Sequence, residues 1–290
     1  MRTVLITGAR GFLGRAVTLE FRRRNWDVIA LTREPWPGAP AGVKVVQADL
    51  RRTLPLNLLP WPRLDSVVHL AAAGVKATDR DWFSGLAGNV LGTTHLLEAI
   101  ATHTHARVPV LLARTFYEEA LSAQSALQQN PYIATKWAAG EVAQALGRLT
   151  GLPLRHARIF QVYGPGDSRG AVLNYVAQRL KAGLAANLGS GRSPRDWIYL
   201  QDAAGCLVEI AAADAPPGAT FDVGSGTLFT LREMAEQLAA LGGARPSLLD
   251  FDATRDRGDE HLALAARHLP ATWQPNTPTT AGLRALWEAA

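Results

Sequence analysis

The sequence predicts an α/β fold, a doubly wound parallel sheet joined to a smaller, discontinuous C-terminal part. Three observations support this prediction. Short apolar runs rich in β-branched residues alternate with longer helical patterns through the first 160 residues, which is typical of parallel strands covered by helices on both faces. A glycine-rich turn stands between the first run and the first helix, and after residue 160 the alternation breaks into loops rich in Gly and Pro.

The elements follow from these patterns in order. The predicted buried strands are residues 2–7, 27–32, 43–48, 65–71 and 108–113, which are nearly apolar on both faces. A further strand is predicted at 152–160. The predicted helices are residues 12–24, 86–102, 132–149, 171–183 and 230–241, with a last helix near the C-terminus. Residues 202–213 and 219–226 are predicted to return the chain to the sheet.

The composition is that of a globular protein with a sizeable core. Of the 290 residues, 48% are hydrophobic and 19% are charged. The single Cys206 excludes an internal disulfide and a cysteine-based zinc site, and we predict no metal. Because no leader follows Met1 and no apolar run approaches the length of a membrane span, we expect a cytoplasmic protein without a membrane partner.

The net charge is +5, with arginines scattered along the chain apart from a short basic run at residues 21–25. Nucleic-acid-binding domains cluster their basic residues on one face, so we predict no nucleic-acid partner. A positive balance also suits an enzyme whose ligands carry several phosphates.

The turn between the first strand and the first helix is TGARGFLG. Gly8 permits the tight turn, Gly11 lets backbone N–H groups approach a pyrophosphate, and Gly14 lets helix and strand pack closely. The spacing differs from the usual Gly-x-Gly-x-x-Gly pattern, but its place at a helix N-terminus favours dinucleotide binding and a Rossmann core. The other residues of this turn that we expect at the cofactor are Arg10, Phe12 and Leu13.

The end of the second strand bears on the choice between NAD and NADP. An acidic residue there would bind the ribose 2′-hydroxyl, whereas an arginine would accommodate a 2′-phosphate. The strand ends in IALTREP, with Arg33 before Glu34, and Arg10 belongs to the same neighbourhood. Two guanidinium groups favour NADP. NAD is the alternative if both arginines face solvent and Glu34 turns back to the ribose.

The third and fourth strands add further cofactor contacts. Asp49 ends the third strand, where its carboxylate would accept a hydrogen bond from the adenine amino group, and Leu50 follows it. His69, near the end of the fourth strand, is assigned to the core. Small residues after that strand leave room for a flat cofactor, namely Ala71, Ala72 and Ala73.

Tyr132 and Lys136 stand four residues apart in a predicted helix and therefore share one face. Taken alone, they fit an ordinary surface pair as well as a shared pocket. The pKa of a phenol is about 10, too high for efficient acid–base work at neutral pH. A cation one helical turn away favours the phenolate.

The motifs stand in the order seen in one known family. They are the glycine turn, ADL (48–50), HLAA (69–72), NVLGTTHLLEA (89–99), YIATK (132–136), VYGPGD (162–167), RDWIYLQD (195–202) and FDVGSG (221–226). The chain resembles an extended short-chain dehydrogenase/reductase of the NAD-dependent epimerase/dehydratase type, whose members mostly act on nucleotide-activated sugars. The resemblance implies that Tyr132 is the acid/base, that Lys136 also binds the nicotinamide ribose, and that Asn89 holds the active-site helix beside the cofactor.

The chain departs from this family at the third catalytic position. Alignment on Tyr117 puts Ala113 where the family carries a serine or threonine. Thr115 is the nearest replacement, ahead of Ser122 and Ser125. The alternatives are that the site works with Tyr132 and Lys136 alone or that activity is impaired. The two positions after Ala113 also lack the Asp–Glu pair of the family's dehydratases, which argues against dehydration.

The resemblance also implies three residues at the substrate. Gln161 stands in place of an asparagine that touches the substrate, and Arg195 matches an arginine that binds the substrate diphosphate. A second such arginine is assigned to Arg257, with Arg255 as its competitor.

We therefore expect an NADP-linked oxidoreductase, with NAD as the second choice of cofactor, acting on a keto group of a nucleotide-activated sugar. An NAD-retaining nucleotide-sugar 4-epimerase is the alternative, and a non-catalytic dinucleotide sensor is a second one. We place the dinucleotide-binding domain at residues 1–160 and 203–224 and the substrate-binding domain at 161–202 and 225–290. A homodimer through the helices at 86–102 and 132–149 is also expected.

Overall fold

The computed structural model describes residues 2–54, 56–76, 79, 81–104, 108–120, 130–167, 170–256 and 263–290. Its main feature is a seven-stranded sheet, and every pairing within it is parallel. The strands are β1 (Thr3–Thr7), β2 (Asp27–Thr32), β3 (Val43–Gln47), β4 (Ser66–His69), β5 (Val110–Thr115), β6 (Leu154–Ile159) and β10 (Thr220–Val223).

The order of the strands across the sheet is β10-β6-β5-β4-β1-β2-β3. The chain therefore moves outward from β1 in one direction through β2 and β3, and in the other direction through β4, β5 and β6. This reversal opens a crevice at the carboxyl end of β1. The predicted doubly wound parallel sheet is confirmed.

The described helices are α1 (Phe12–Arg23), α2 (Trp82–Gly85), α3 (Gly92–His103), α4 (Pro131–Thr150), α5 (Val172–Lys181), α6 (Leu200–Ala212), α7 (Leu231–Leu241) and α8 (Thr279–Ala289). Four of them cover the two faces of the large sheet. On one face α1 and α6 contribute Phe21 and Leu207 to the core. On the other face α3 and α4 contribute Leu97 and Ala143. In the described ranges, no helix is both long and apolar enough to cross a membrane.

The helix predicted at 86–102 begins earlier and is not uniform. The side chain of Asp81 accepts hydrogen bonds from the backbone N–H groups of Phe83 and Ser84 and so starts α2. A π-helical stretch, Leu86–Leu91, then connects α2 to α3 and contains the buried Asn89. Such wide turns are frequent at functional sites.

Outside the large sheet, the chain forms two small sheets. Strands β7 (Gln161–Tyr163), β9 (Pro194–Tyr199) and β11 (Leu228–Thr230) make one, and β8 (Ala186–Leu188) and β12 (Leu249–Phe251) make the other. Helices α5, α7 and α8 pack together around an apolar cluster of their own that includes Leu173, Leu238 and Leu283.

Two buried carboxylates fasten the segment at 266–268 to the rest of the molecule. Asp196 on β9 accepts a hydrogen bond from the backbone N–H of Ala266 at 2.9 Å. Asp222 on β10 accepts hydrogen bonds from the N–H groups of Arg267 and His268 at 2.8 and 2.9 Å, and from the Arg158 guanidinium on β6 at 2.8 Å. Each carboxylate is 1% exposed, so these bonds replace the water that both groups lose on folding.

Candidate functional site

A cavity of about 1170 Å³ lies along the carboxyl ends of the parallel strands. Loops after β1, β2 and β3 supply one group of its lining residues, and loops after β4, β5 and β6 supply another. Residues of the smaller sheets, among them Asn187 and Arg195, complete it. Ligands bind in crevices of this kind at the reversal point of doubly wound sheets.

The glycine turn fits a pyrophosphate. Gly8 adopts a positive φ of 69°, and a Cβ at that position would come within 2.7 Å of the backbone nitrogen of Ala71. A Cβ on Gly14 would collide with the carbonyl oxygen of Gly8, so helix and strand approach as closely as the sequence predicts. Helix α1 starts after Gly11, which as its N-cap makes no side-chain hydrogen bond. The N-terminus of a helix that follows a glycine-rich turn is a common binding place for phosphate groups.

Charged side chains crowd the cavity beyond β2 and β3. The Arg10 guanidinium donates to the Glu34 carboxylate at 2.7 Å, and a nitrogen of Arg33 lies 3.8 Å from the same carboxylate. Arg51 holds Asp49 with contacts of 2.6 and 2.9 Å. These hydrogen bonds from Arg51 lower the pKa of Asp49 to about 2.

Arg51 was not singled out in the sequence, although its place two residues after Asp49 was a usable signal. The Asp49 carboxylate, which we assigned to the adenine amino group, therefore already accepts hydrogen bonds from the Arg51 guanidinium. All the residues predicted from the glycine turn and from the ends of the second to fourth strands line the cavity.

Asn89 lies behind the loop that follows β4 and is absent from the described lining of the cavity. Its side-chain oxygen accepts from the backbone N–H of Ala73 at 2.8 Å, and its amide nitrogen donates to the Ala73 carbonyl at 3.1 Å. The same nitrogen donates to the Thr135 hydroxyl of α4 at 2.9 Å. Asn89 thus ties the cavity loop to the helix that carries Tyr132 and Lys136.

Tyr132 and Lys136 lie on the first turns of α4. The Asn130 side chain accepts a hydrogen bond from the Tyr132 N–H at 3.0 Å and fixes the start of the helix. Both Tyr132 and Lys136 line the cavity. Lys136 is only 4% exposed, and its ammonium donates to the carbonyl oxygen of Ala113 at 2.5 Å.

The surroundings of Lys136 set its charge. Burial lowers its pKa to about 8, Glu118 opposes this effect, and Arg114 adds to it. The ammonium is therefore the main form at pH 7.

His69, assigned to the core, is buried on β4 and hydrogen-bonded to Thr7 and Thr93. Burial, and then the charge of Lys136, lower the pKa of His69 to about 3, so its imidazole is neutral.

The end of β5 presents Ala113 and Thr115 to the cavity. Ala113 carries no hydroxyl, and it is the carbonyl of this residue that holds Lys136. Thr115 is 4% exposed, and it lines the same cavity as Tyr132. Ser122 and Ser125, the weaker replacements, lie outside the described residues.

The substrate candidates Gln161 and Arg195 also line the cavity. The Arg195 guanidinium donates to the hydroxyl of Tyr117 at 2.9 Å, a contact that the sequence did not indicate. Arg255 lines the same cavity but donates to the Asp250 carboxylate at 2.8 Å. Arg257, the assigned second arginine, lies outside the described residues.

The fold and the site together define a Rossmann-type enzyme whose crevice fits a dinucleotide and holds a tyrosine–lysine pair. The model of the NAD dependent epimerase/dehydratase family matches residues 4–224. The chain belongs to this family.

Several relatives match over nearly the whole chain. A dTDP-6-deoxy-L-talose 4-dehydrogenase (NAD(P)(+)) of Kitasatospora kifunensis is 28% identical, over 99% of this chain and 95% of that protein. A dTDP-glucose 4,6-dehydratase of Streptomyces antibioticus is 28% identical over 90% of this chain and 83% of its own length. Among solved structures, MoeE5 in complex with UDP-glucose and NAD is 25% identical, with a TM-score of 0.81 over 99% of this chain and 97% of that one.

Proposed function

We propose that the protein is an NAD(P)-dependent oxidoreductase that interconverts a hydroxyl and a keto group on a nucleotide-activated sugar. The observation that carries this proposal is the single cavity that brings the Tyr132–Lys136 pair together with the glycine turn and Arg195. The names of the relatives support the substrate class, since both relatives act on dTDP-linked sugars by name and MoeE5 was solved with UDP-glucose.

The nicotinamide cofactor supplies or accepts the hydride when it is bound. Tyr132 donates its hydroxyl proton to the substrate oxygen during reduction and accepts a proton from the substrate hydroxyl during oxidation. The Lys136 ammonium stabilises the phenolate that Tyr132 becomes when it gives up its proton. The Thr115 hydroxyl replaces the group missing at Ala113 and hydrogen-bonds the same substrate oxygen.

The remaining cavity residues bind the substrate. Arg195 pairs with the diphosphate, because a guanidinium binds phosphate oxygens through two parallel hydrogen bonds. Gln161 presents an amide to the sugar. Tyr117 accepts a hydrogen bond from Arg195 at 2.9 Å, which orients the guanidinium before the substrate arrives.

We favour NADP as the cofactor. Arg10, Arg33 and Arg51 line the part of the cavity beyond β2 and β3, where a 2′-phosphate would lie. The Arg10–Glu34 ion pair is half exposed, with side-chain exposures of 44% and 60%, so it contributes little stability and opens at little cost when a phosphate binds Arg10.

A second function, an NAD-retaining 4-epimerase, is favoured by one specific observation. Glu34 also lines the cavity, and a carboxylate there binds ribose hydroxyls in NAD-dependent proteins. Dehydration is disfavoured because Glu118 and Glu119 turn toward Arg114 and Arg158, at 2.5 and 3.2 Å, and neither glutamate lines the described part of the cavity.

The test is turnover of NADPH or NADH with dTDP- and UDP-linked 4-keto sugars, followed by the absorbance of the reduced nicotinamide. Wild-type protein should consume NADPH, and Tyr132→Phe should lose turnover by about 10²-fold or more while its NADP affinity, measured by calorimetry, stays within a few-fold. Undiminished turnover in Tyr132→Phe would remove Tyr132 as the acid. NAD that survives gel filtration, together with 4-epimer formation, would favour the epimerase.

We also propose that the protein is a homodimer. Large apolar side chains lie exposed on α2, on the π-helical stretch and on α4, and they are Trp82, Phe83, Leu86, Leu91 and Trp137. Helix α2 packs against α4, since a Cβ on Gly85 would come within 3.1 Å of the Thr135 side chain. The elements that carry these side chains are therefore in contact with one another, and exposed apolar side chains that form one patch mark interfaces.

We further propose that residues 161–202 and 225–290 act as the substrate-binding domain. They contribute Gln161, Asn187 and Arg195 to the cavity, whereas residues 1–160 and 203–224 contain the glycine turn and the large sheet.

A further inference from the structure

A buried ion pair lies next to Lys136. Arg114, near the end of β5, donates from its Nε to the carboxylate of Glu118 in the 3₁₀ turn Phe116–Ala120. The two side chains are only 9% and 6% exposed. The Arg114 guanidinium lies against the backbone of α4 at Gly140, where a Cβ would collide with it. Gly140 is one helical turn beyond Lys136, so the ion pair fills the space between β5 and the catalytic helix.

Glu118 also fixes the strand end that holds Lys136. Its second carboxylate oxygen accepts from the backbone N–H of Thr115 at 3.3 Å. Two residues earlier, the Ala113 carbonyl accepts from the Lys136 ammonium. The carboxylate thus connects the backbone N–H of Thr115 to the guanidinium of Arg114, at the strand end whose Ala113 carbonyl holds Lys136.

The charges around Lys136 make Glu118 necessary. Lys136 and Arg114 are both cations in a region with little water, and like charges at close range repel strongly there. From β4, His69 contributes no charge because it is neutral, and on α4 itself Tyr132 is a phenol rather than a carboxylate. Glu141, also on α4, reaches only Arg114, at 3.4 Å from a half-exposed position. In the described part of the chain, Glu118 is the buried carboxylate whose charge acts on Lys136.

We propose that Glu118 is a positioning residue for the Tyr132–Lys136 pair. It orders the end of β5 through Arg114 and the Thr115 N–H, and its negative charge keeps the buried Lys136 in the ammonium form that Tyr132 requires. Only the kinetic consequence of this proposal rests on the proposed function. The charge of Lys136 is measurable without any substrate.

The direct experiment is the titration of the lysine side chains by NMR in protein carrying ¹³C at Cε. The sequence contains only Lys44, Lys76, Lys136 and Lys181, so the Lys136 signal is assigned from a Lys136→Met sample. In Glu118→Gln, the pKa of Lys136 should fall below its wild-type value by about one pH unit or more, a change of about tenfold in the ionisation constant. The alkaline limb of kcat/KM should move to lower pH by the same amount.

Glu119→Gln is the matched control. Glu119 is adjacent to Glu118, but its side chain is 42% exposed and pairs with Arg158 at 3.2 Å. In Glu119→Gln, the Lys136 titration and the pH profile of kcat/KM should therefore match those of the wild type. A Lys136 titration that does not change in Glu118→Gln would overturn the proposal, even if the variant were less stable. If Glu118→Gln does not fold, the double variant Arg114→Met/Glu118→Met is the second variant, because it removes both members of the ion pair and leaves no unpaired buried charge. Since the charge of Glu118 acts on Lys136 more strongly than that of Arg114, the pKa of Lys136 should still fall, and an unchanged or higher value would overturn the proposal.

The outcomes separate the two proposals. Wild-type turnover that depends on Tyr132, combined with an unchanged titration in Glu118→Gln, would refute the role of Glu118 alone. A shifted titration without any NAD(P)-linked turnover would refute the proposed function and leave the charge balance at Lys136 established.

Discussion

Replacing Lys136 with Met should make the folded protein more stable while it removes the cation beside Tyr132. A lysine that is buried in the folded state must give up its hydration, and this loss opposes folding as long as the side chain stays charged. Methionine has a similar length, fills the same space and carries no charge.

The magnitude follows from the pKa of Lys136 and from one hydrogen bond. Burial lowers the pKa from 10.5 to about 8, and 1.36 kcal/mol per pH unit converts the difference to about 3 kcal/mol of opposition to folding at pH 7. Methionine also loses the hydrogen bond to the Ala113 carbonyl, worth about 1 kcal/mol. The free energy of unfolding should therefore rise by about 2 kcal/mol.

The effect should depend on pH. Below about pH 8 the folded and unfolded chains both carry the charge, so the full cost of burying it is present. Between about pH 8 and 10.5 only the unfolded chain keeps the proton, so wild-type stability rises with pH relative to the variant. The advantage of Lys136→Met should shrink over that interval.

The assay is urea unfolding of nucleotide-free protein at pH 7 and pH 9.5, with Lys44→Met as the control because Lys44 is exposed on β3. The control should match the wild type at both pH values. If Lys136→Met were less stable than the wild type at pH 7, or if its advantage did not change with pH, the reasoning from burial would be refuted.

Three further predictions concern the cofactor, the interface and the sheet edge. Arg33→Asp should weaken NADP binding, measured by calorimetry, about 10- to 100-fold, with a smaller effect on NAD binding. The control Arg63→Asp, at an exposed site, should change the affinity for neither cofactor. An equal loss of affinity for both cofactors would contradict the assignment of NADP. Phe83→Glu, at a side chain that is 84% exposed, should convert the dimer to a monomer in sedimentation experiments, with Leu184→Glu as the control; a wild-type monomer would remove the interface. Asp222→Asn should lower the free energy of unfolding, measured in urea, by about 3 kcal/mol because it breaks a buried ion pair. A loss below about 1 kcal/mol would show that the backbone hydrogen bonds alone hold the segment at 266–268.

The local patterns of the sequence determined the large sheet and the helices on its faces. Continuous apolar runs such as residues 27–32 became the buried strand Asp27–Thr32, because a strand covered on both faces must be apolar throughout. The glycine turn was predictable for a similar reason, since only glycine tolerates the positive φ at Gly8 and the close contact at Gly14. The spacing of Tyr132 and Lys136 placed them on one helical face, because helical geometry alone sets that relation.

Only the tertiary structure decided how the charged groups combine. The sequence treated Asp49 and Glu34 as free to meet a cofactor, but Arg51 and Arg10 hold these carboxylates. Nothing in the local pattern singled out Glu118, but its carboxylate is buried against Arg114 beside Lys136. The physical reason is that burial and the distances between charges depend on how distant segments pack. Residue type and local spacing determine the strands, the helices and the glycine turn, whereas the ionisation of Lys136 depends on β5 and the turn after it, which only the folded chain brings against α4.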